Sequence, residues 1–370
     1  MGMYAMSDLL QLMVSEGAAD LHVRVGIPPC IRAHGVLERV QGPPCTPEDT
    51  EELMTSICSE DNIQQVRTKG GADFGFAFGE LARFRVSAFK EKGNFALVLR
   101  QIPTRLLTID QIGLSPTLVE ELIHKPRGMI LVTGPTGSGK TTTLYAAVEQ
   151  IRTGKEKILT VEDPVEYELP GVPQVPVNEK IGVTFAGALR ALLRQDPDVI
   201  LVGEIRDPET AQIATQAALT GHLVLSTLHT NDAPSALTRL LDLQIAAYLV
   251  ASTVDAVLAQ RLVRQICPHC KSETRPTDHE ARRMDVVGLG LTHVWRGAGC
   301  ESCRFTGYRG RTGVHELLVM DNDLRIEVQK RRGSEELRAM AIAKGMRTLQ
   351  DDGLRKVREG TTTLEEVIRV

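Results

Sequence analysis

The residues with the clearest chemistry run from Gly134 to Thr141, reading Gly-Pro-Thr-Gly-Ser-Gly-Lys-Thr. Gly134, Gly139, Lys140 and Thr141 fit the spacing G-x-x-x-x-G-K-[ST], in which glycines let backbone amides turn inward toward an anion. A helix beginning near Lys140 adds its positive dipole end. Lys140 would neutralise β- and γ-phosphate charge, and the Thr141 hydroxyl would ligate Mg²⁺. Pro135, Thr136, Gly137, Ser138 and Thr142 complete the expected nucleotide contacts, so ATP and Mg²⁺ are the expected cofactors.

Three carboxylates, Glu162, Asp163 and Glu166, follow the apolar run Ile-Leu-Thr-Val. Near a phosphate site they can hold metal or orient and deprotonate an attacking water; Asp-Pro also marks an ordinary surface turn. The stretch Asp198 to Arg206 is an apolar strand ending in a carboxylate, as a Walker B element requires. Glu204, at its C-terminal end, reads as the metal-side acid, and Asp198, at the other end, as a cap or pairing group. His222 and His229 bracket the run Leu-Val-Leu-Ser. A lone histidine is usually structural, but two around a buried strand beside these motifs can sense a γ-phosphate through hydrogen bonds.

A fourth constellation is Cys267-Pro-His-Cys270, 29 intervening residues, then Cys300-Glu-Ser-Cys303. Two Cys-x-x-Cys knuckles suit tetrahedral Zn²⁺ held by four thiolates. Such a site keeps no ligand position for water, so the expected zinc is structural. His269 reads as solvent-facing, and Cys30, Cys45 and Cys58 are scattered.

The elements that must position these groups follow from hydrophobic spacing. Asp8 with Gln11 reads as the start of a helix whose stripe is Leu9, Leu10, Met13 and Val14, ended by Gly17. Leu21 to Val40 alternates around Gly-Ile-Pro-Pro as a strand hairpin, and 74–78, 82–89 and 95–102 repeat the strand signature. This makes a small α+β domain over 1–108, followed by a connector over 109–126 with one short helix. From 127 the pattern becomes α/β: the runs 129–133, 158–161, 199–202 and 223–226 suit buried parallel strands, each delivering polar residues at its C-terminal end. A loop-rich four-cysteine subdomain spans 265–312. A helical tail spans 316–370, with Thr362 and Glu365 as a capping box.

The 370 residues, 42% apolar and 24% charged, describe a globular protein long enough for two domains. A net charge of −4 and 4% aromatics give no electrostatic or stacking reason to expect nucleic acid. Seven cysteines, an odd number, do not suggest a disulfide framework. No basic start followed by an apolar core marks a leader. Ile245 to Val263 is interrupted by Asp255, Gln260 and Arg261, and reads as an amphipathic helix with no membrane span. A cytoplasmic location is the expectation.

Together and in this order the motifs resemble the secretion ATPases of type II secretion and type IV pili, the GspE, PilB and PilT relatives. Glu-Asp-Pro-Val-Glu-Tyr looks like that family's Asp box, Asp198 to Asp207 like its Walker B, and Thr220 to Thr230 like its His box. The resemblance covers nearly the whole chain. It implies a homohexameric ring with an N-terminal (PAS-like) domain joined flexibly to a RecA-like P-loop ATPase core, and nucleotide between them. It assigns Glu166 as the catalytic glutamate, Glu204 to the Walker B position, and His222 and His229 to the His box. Arg85 and Arg100 match positions where the family supplies arginines to the nucleotide; either can instead be a solvated strand residue.

The N-terminal part resembles the pilus-retraction branch, which starts directly with this compact domain. The C-terminal part, with its cysteine pairs and Gly-Tyr-Arg-Gly-Arg-Thr-Gly-Val-His-Glu-Leu-Leu, resembles the assembly and secretion branch. The implied work is that of a motor acting on an inner-membrane platform protein, peripherally associated with the membrane, in assembly or secretion ahead of retraction. A nucleic-acid motor on the same core is the alternative of another class; the acidic chain gives it no support.

Overall fold

The computed structural model describes residues 4–33, 36–79, 81–102, 106–277, 280 and 292–370. The chain divides into two compact units, Met1–Arg105 and Leu106–Val370.

In the first unit the order is α1 (Met6–Ser15), β1 (Asp20–Val23), β2 (Cys30–Ala33), β3 (Val36–Arg39), α2 (Pro47–Thr55), α3 (Glu60–Lys69), β4 (Gly71–Phe78), β5 (Ala82–Glu91) and β6 (Asn94–Ile102). The strands form one antiparallel sheet ordered β3-β2-β1-β6-β5-β4. Period-two alternation sends Phe84, Val86, Leu97 and Leu99 to one face, where they pack on Leu9, Leu10 and Met13 of α1, Leu53 and Met54 of α2, and Val66 of α3. The opposite face carries Asp73, Arg85, Ser87 and Arg100 beside Phe89 and Val98.

Two details differ from the sequence expectation. Helix α1 starts at Met6 with Ala5 at its N-cap, so Asp8 sits in the first turn rather than capping it; a first-turn acid favours the dipole without a side-chain bond. Residues 46–69, unassigned from sequence, form two capped helices. Thr46 and Asp49 exchange the reciprocal bonds of a capping box, and Ser59 accepts from the Asn62 amide.

The second unit runs α4 (Pro116–Ile123), β7 (Gly128–Thr133), α5 (Lys140–Ile151), β8 (Ile158–Glu162), β9 (Gln174–Pro176), α6 (Phe185–Leu192), β10 (Val199–Val202), α7 (Pro208–Thr220), β11 (Leu223–Leu228), α8 (Ala233–Asp242), α9 (Ala247–Thr253) and β12 (Val254–Ile266). It continues through β13 (Lys271–Thr274), β14 (Val294–Gly297), β15 (Tyr308–Val319), α10 (Asn322–Gln329), α11 (Ser334–Ala343), α12 (Leu349–Arg358) and α13 (Leu364–Arg369). The main sheet is ordered β15-β12-β7-β11-β10-β8-β9. Its neighbours pair in parallel except β12 with β15. One face packs on Leu189, Ala214, Leu237 and Val250 of α6 to α9. The other packs on Leu122 of α4 and on Leu144 and Val148 of α5. Burial on both faces is why the strands read as continuous apolar runs, and this is the α/β core expected. Parallel pairing brings the C-terminal ends of β7, β8, β10 and β11 to one edge.

The expected amphipathic helix over Ile245–Val263 is corrected: only Ala247–Thr253 is helical, and β12 follows without a break. Apolar runs of this length fit either element by periodicity alone; pairing with both β7 and β15 decides for a strand. The expected tail starts late, because Glu316–Val319 complete β15. The final cap is displaced by one residue. Thr363 accepts from the Glu366 amide, while Thr362 donates to the Arg264 carbonyl. The connector packs into the second unit, with Ile109 and Ile112 against Ala146. Much of the segment between the cysteine pairs lies outside the described residues.

Candidate active site and metal centre

Strand β7, fully buried, ends at Thr133, and the chain must then turn at once into α5. Gly134 and Gly139 make that turn with positive φ of 147° and 87°. A Cβ on Gly134 would stand 2.4 Å from the Gln260 carbonyl oxygen, and one on Gly139 would stand 2.7 Å from Gln260 Nε2. Neither position tolerates a side chain. Lys140 opens α5 with its ammonium donating to the carbonyls of Gly134 at 2.8 Å and Pro135 at 3.1 Å. Burial pushes its pKa down, with Glu204 opposing and Arg261 reinforcing.

Glu204 follows β10 by two residues, and His229 follows β11 by one. Because the two strands are parallel neighbours in register, these side chains meet: His229 Nε2 lies 3.3 Å from Glu204 Oε2. Arg206 Nε donates to the same oxygen at 2.5 Å. The Thr227 hydroxyl ties the strand ends by donating to the Gly203 carbonyl at 2.8 Å. Asp198, at the far end of β10, accepts from the Lys157 amide at 2.7 Å, as a pairing group.

In the cysteine segment the sulfurs of Cys267, Cys270, Cys300 and Cys303 all lie within 4.8 Å of one another. The pairs 267–300, 270–303 and 300–303 are each 3.8 Å apart. Four thiolates at about 2.3 Å from a tetrahedral zinc stand about 3.8 Å from each other, so the set fits that ion. The amides of Cys300 and Gly307 point at Cys303 Sγ at 3.2 and 3.3 Å. Burial raises that thiol's pKa, but these amides together with the Cys300 and Cys270 side chains outweigh it and bring it to about 6. Strands β13 and β14 pair antiparallel beside the knuckles. His269 is exposed, as expected.

Residues 5–369 match the family model for type II/IV secretion system proteins. The chain belongs to that family. It is 53% identical to the type II secretion system protein HxcR of Pseudomonas aeruginosa over 71% of this chain and 53% of that one. It is 43% identical to the type II secretion system protein E of Aeromonas hydrophila over 98% of this chain and 74% of that one. It is 49% identical to the type IV pilus assembly ATPase PilB of Thermus thermophilus over 70% of this chain and 30% of that one. The chain therefore spans about half the length of the first relative and less than a third of the last. Among solved structures, the pilus retraction motor PilT with bound ADP superposes with a TM-score of 0.79 at 31% identity, covering 99% of this chain and 96% of that one. The fold class and the ATPase class expected from the motifs are those of this family.

Not every residue named from the family's motifs reaches the phosphate loop. Glu162 is buried at the end of β8, and its carboxylate is consumed internally. It accepts from the Tyr145 hydroxyl, from Thr160 Oγ1 at 2.5 Å and from Gln174 Nε2 at 3.1 Å. These bonds anchor the Asp box to α5. The Asp163–Pro164 bond is cis, and Asp163 is exposed. Tyr145 also accepts from the Tyr167 amide at 3.2 Å, which holds half-buried Glu166 alongside α5. Thr142 bonds to the Tyr167 hydroxyl.

His222 lies at the opposite end of its strand from His229. It precedes β11, its carbonyl accepting from the amide of Gly128 at the start of β7. A full strand separates it from the loop that follows Thr133. Its Nδ1 lies 3.0 Å from the Ala217 carbonyl, closing the end of α7.

In the first unit Arg85 and Arg100 are direct cross-strand partners on β5 and β6. Arg100 Nε donates to Asp20 at 2.8 Å, and Arg32 holds the other oxygen of Asp20 at 3.2 Å. Sequence reasoning missed Asp20, Gln260 and Arg261. The last two lie inside the run read as a helix, and only the strand assignment lays them along the phosphate loop.

Proposed function

We propose that this chain is the ATP-hydrolysing motor of a type II secretion or type IV pilus machine. In this reading it acts as a homohexamer in the cytoplasm, moving pilins or pseudopilins through an inner-membrane platform protein. The observation that carries it is the convergence of Lys140, Glu204 and His229 on the strand ends around one phosphate loop. The relatives named as secretion proteins support assembly or secretion as the direction of work. Among the described residues no helix is long and apolar enough to cross a membrane, so membrane association would run through partners.

In this reading Lys140 holds the β- and γ-phosphates, and the Thr141 hydroxyl and Glu204 serve the magnesium side, where Mg²⁺ neutralises developing phosphate charge. Glu166 takes the proton of the attacking water, and His229 reports the γ-phosphate to Glu204 by a hydrogen bond. Arg85 and Arg100 stabilise charge on the transferring phosphoryl group. Zinc on the four cysteines closes the knuckles and has no part in hydrolysis.

A deletion strain tests the direction. Lost surface pili or a secreted protein retained in the cell supports assembly or secretion. Excess pili that no longer retract supports the second reading, retraction, which the likeness to PilT over 99% of the chain favours. An unaltered strain contradicts both.

A further inference from the structure

Strand β12 outruns β7. Ala259 is the register partner of Thr133, the last residue of β7, so Gln260 stands beside the phosphate loop. Its side chain is 2% exposed. Nε2 donates to the Ser138 carbonyl at 2.8 Å, and Oε1 accepts from the Thr143 hydroxyl at 2.7 Å. The backbone oxygen of the same residue closes on Gly134. One residue thus touches the start of the loop, its end and the first turn of α5.

The peptide plane gives this contact a consequence. In a trans peptide the C=O and the following N–H point in opposite directions. Holding the Ser138 carbonyl toward β12 therefore aims the Gly139 amide away from β12. In a phosphate loop, inward-turned amides of this kind cradle the anion. A primary amide suits the task, since it offers a donor to the carbonyl and an acceptor to the hydroxyl in one rigid plane.

We propose that Gln260 is a positioning residue for nucleotide binding, acting through the Ser138–Gly139 peptide and the Thr143 hydroxyl. The proposal rests on the nucleotide reading of the loop. An amide oriented before binding serves ground state and transition state alike, so its loss appears in affinity and KM rather than in kcat.

The test measures Mg-ADP affinity, steady-state ATPase kinetics and thermal unfolding on the full chain carrying Gln260→Met, Gln260→Glu, Thr143→Val, Thr143→Ser or Lys140→Ala. Gln260→Met is expected to weaken ADP binding and raise KM about tenfold, with kcat within about threefold. Gln260→Glu, which loses the donor and adds negative charge, weakens binding further. Thr143→Val moves KM in the same direction, and Thr143→Ser restores it. Binding and KM within about twofold of the unmodified chain in Gln260→Met overturn the proposal, as does a change confined to the unfolding temperature. Should Gln260→Met fail to fold, Thr143→Val decides by the same criterion. Failure of the unmodified chain to bind ADP, or undiminished binding by Lys140→Ala, would instead refute the nucleotide reading itself.

Discussion

Glu204 and His229 meet at 3.3 Å because β10 and β11 are parallel neighbours in register, so residues just past each strand arrive at the same level. The carboxylate also acts on the Lys140 ammonium through its field. The three groups form one electrostatic unit at the phosphate loop.

Removing the Glu204 charge is therefore expected to stop turnover rather than unfold the chain. Glu204→Gln should lower kcat by about 10²-fold or more, the range for losing one group that supports stabilisation of developing charge, with an unfolding temperature close to that of the unmodified chain. Phosphate release under saturating Mg-ATP measures this; unchanged turnover would remove Glu204 from the metal side.

The arginine reading separates from a purely structural one at Asp20. Arg100 is largely exposed, but its partner Asp20 is buried and keeps Arg32 on its other oxygen, so losing Arg100 leaves that buried carboxylate a single guanidinium. Arg100→Ala should lower the unfolding temperature, and on the arginine reading it should also lower kcat at least about tenfold. Equal kcat in Arg100→Ala and the unmodified chain argues for a solvated strand residue.

Glu366 predicts an acid-side stability profile. Burial raises its pKa, but the guanidinium bonds of Arg369 and Arg264 outweigh burial and hold it at about 2. A carboxylate whose folded pKa is depressed contributes stability that is complete above its unfolded value, about 4.3, and is lost as pH falls toward the folded one. The unfolding temperature should drop between about pH 4.3 and 2, and Glu366→Gln should flatten that drop. At neutral pH the same substitution should cost about 2–3 kcal/mol in denaturant unfolding, through its charged hydrogen bonds.

The sulfur spacing predicts zinc at one ion per chain under reducing conditions. Elemental analysis of purified protein should find it, and Cys303→Ser should release it. Chelation should lower thermal stability, since a structural zinc site is folding free energy. A stoichiometry near zero would contradict the site.

Local sequence carried much of this site. The spacing of Gly134, Gly139, Lys140 and Thr141 is legible because phosphate-loop geometry is local: a turn, two glycines and a helix start. The buried strands were legible because parallel strands covered on both faces must be apolar throughout. The cysteine pairs were legible because each knuckle is short, although only the fold shows the two pairs closing to 3.8 Å.

Tertiary structure decided what depends on register between distant segments. Glu162 ends β8 and His229 follows β11 by one residue, so each is a polar group after an apolar run in sequence. One is consumed by Tyr145, Thr160 and Gln174, while the other faces Glu204. His222 and His229 differ only in which end of β11 they occupy, and the parallel sheet puts the loop at one end. Gln260 was hidden because an apolar run with occasional polar residues fits helix and strand equally, and pairing with β7 and β15 removes that ambiguity. Sequence by itself determined which residues can do chemistry; the order and register of the sheet decided which of them meet, because both are set by contacts between segments far apart along the chain.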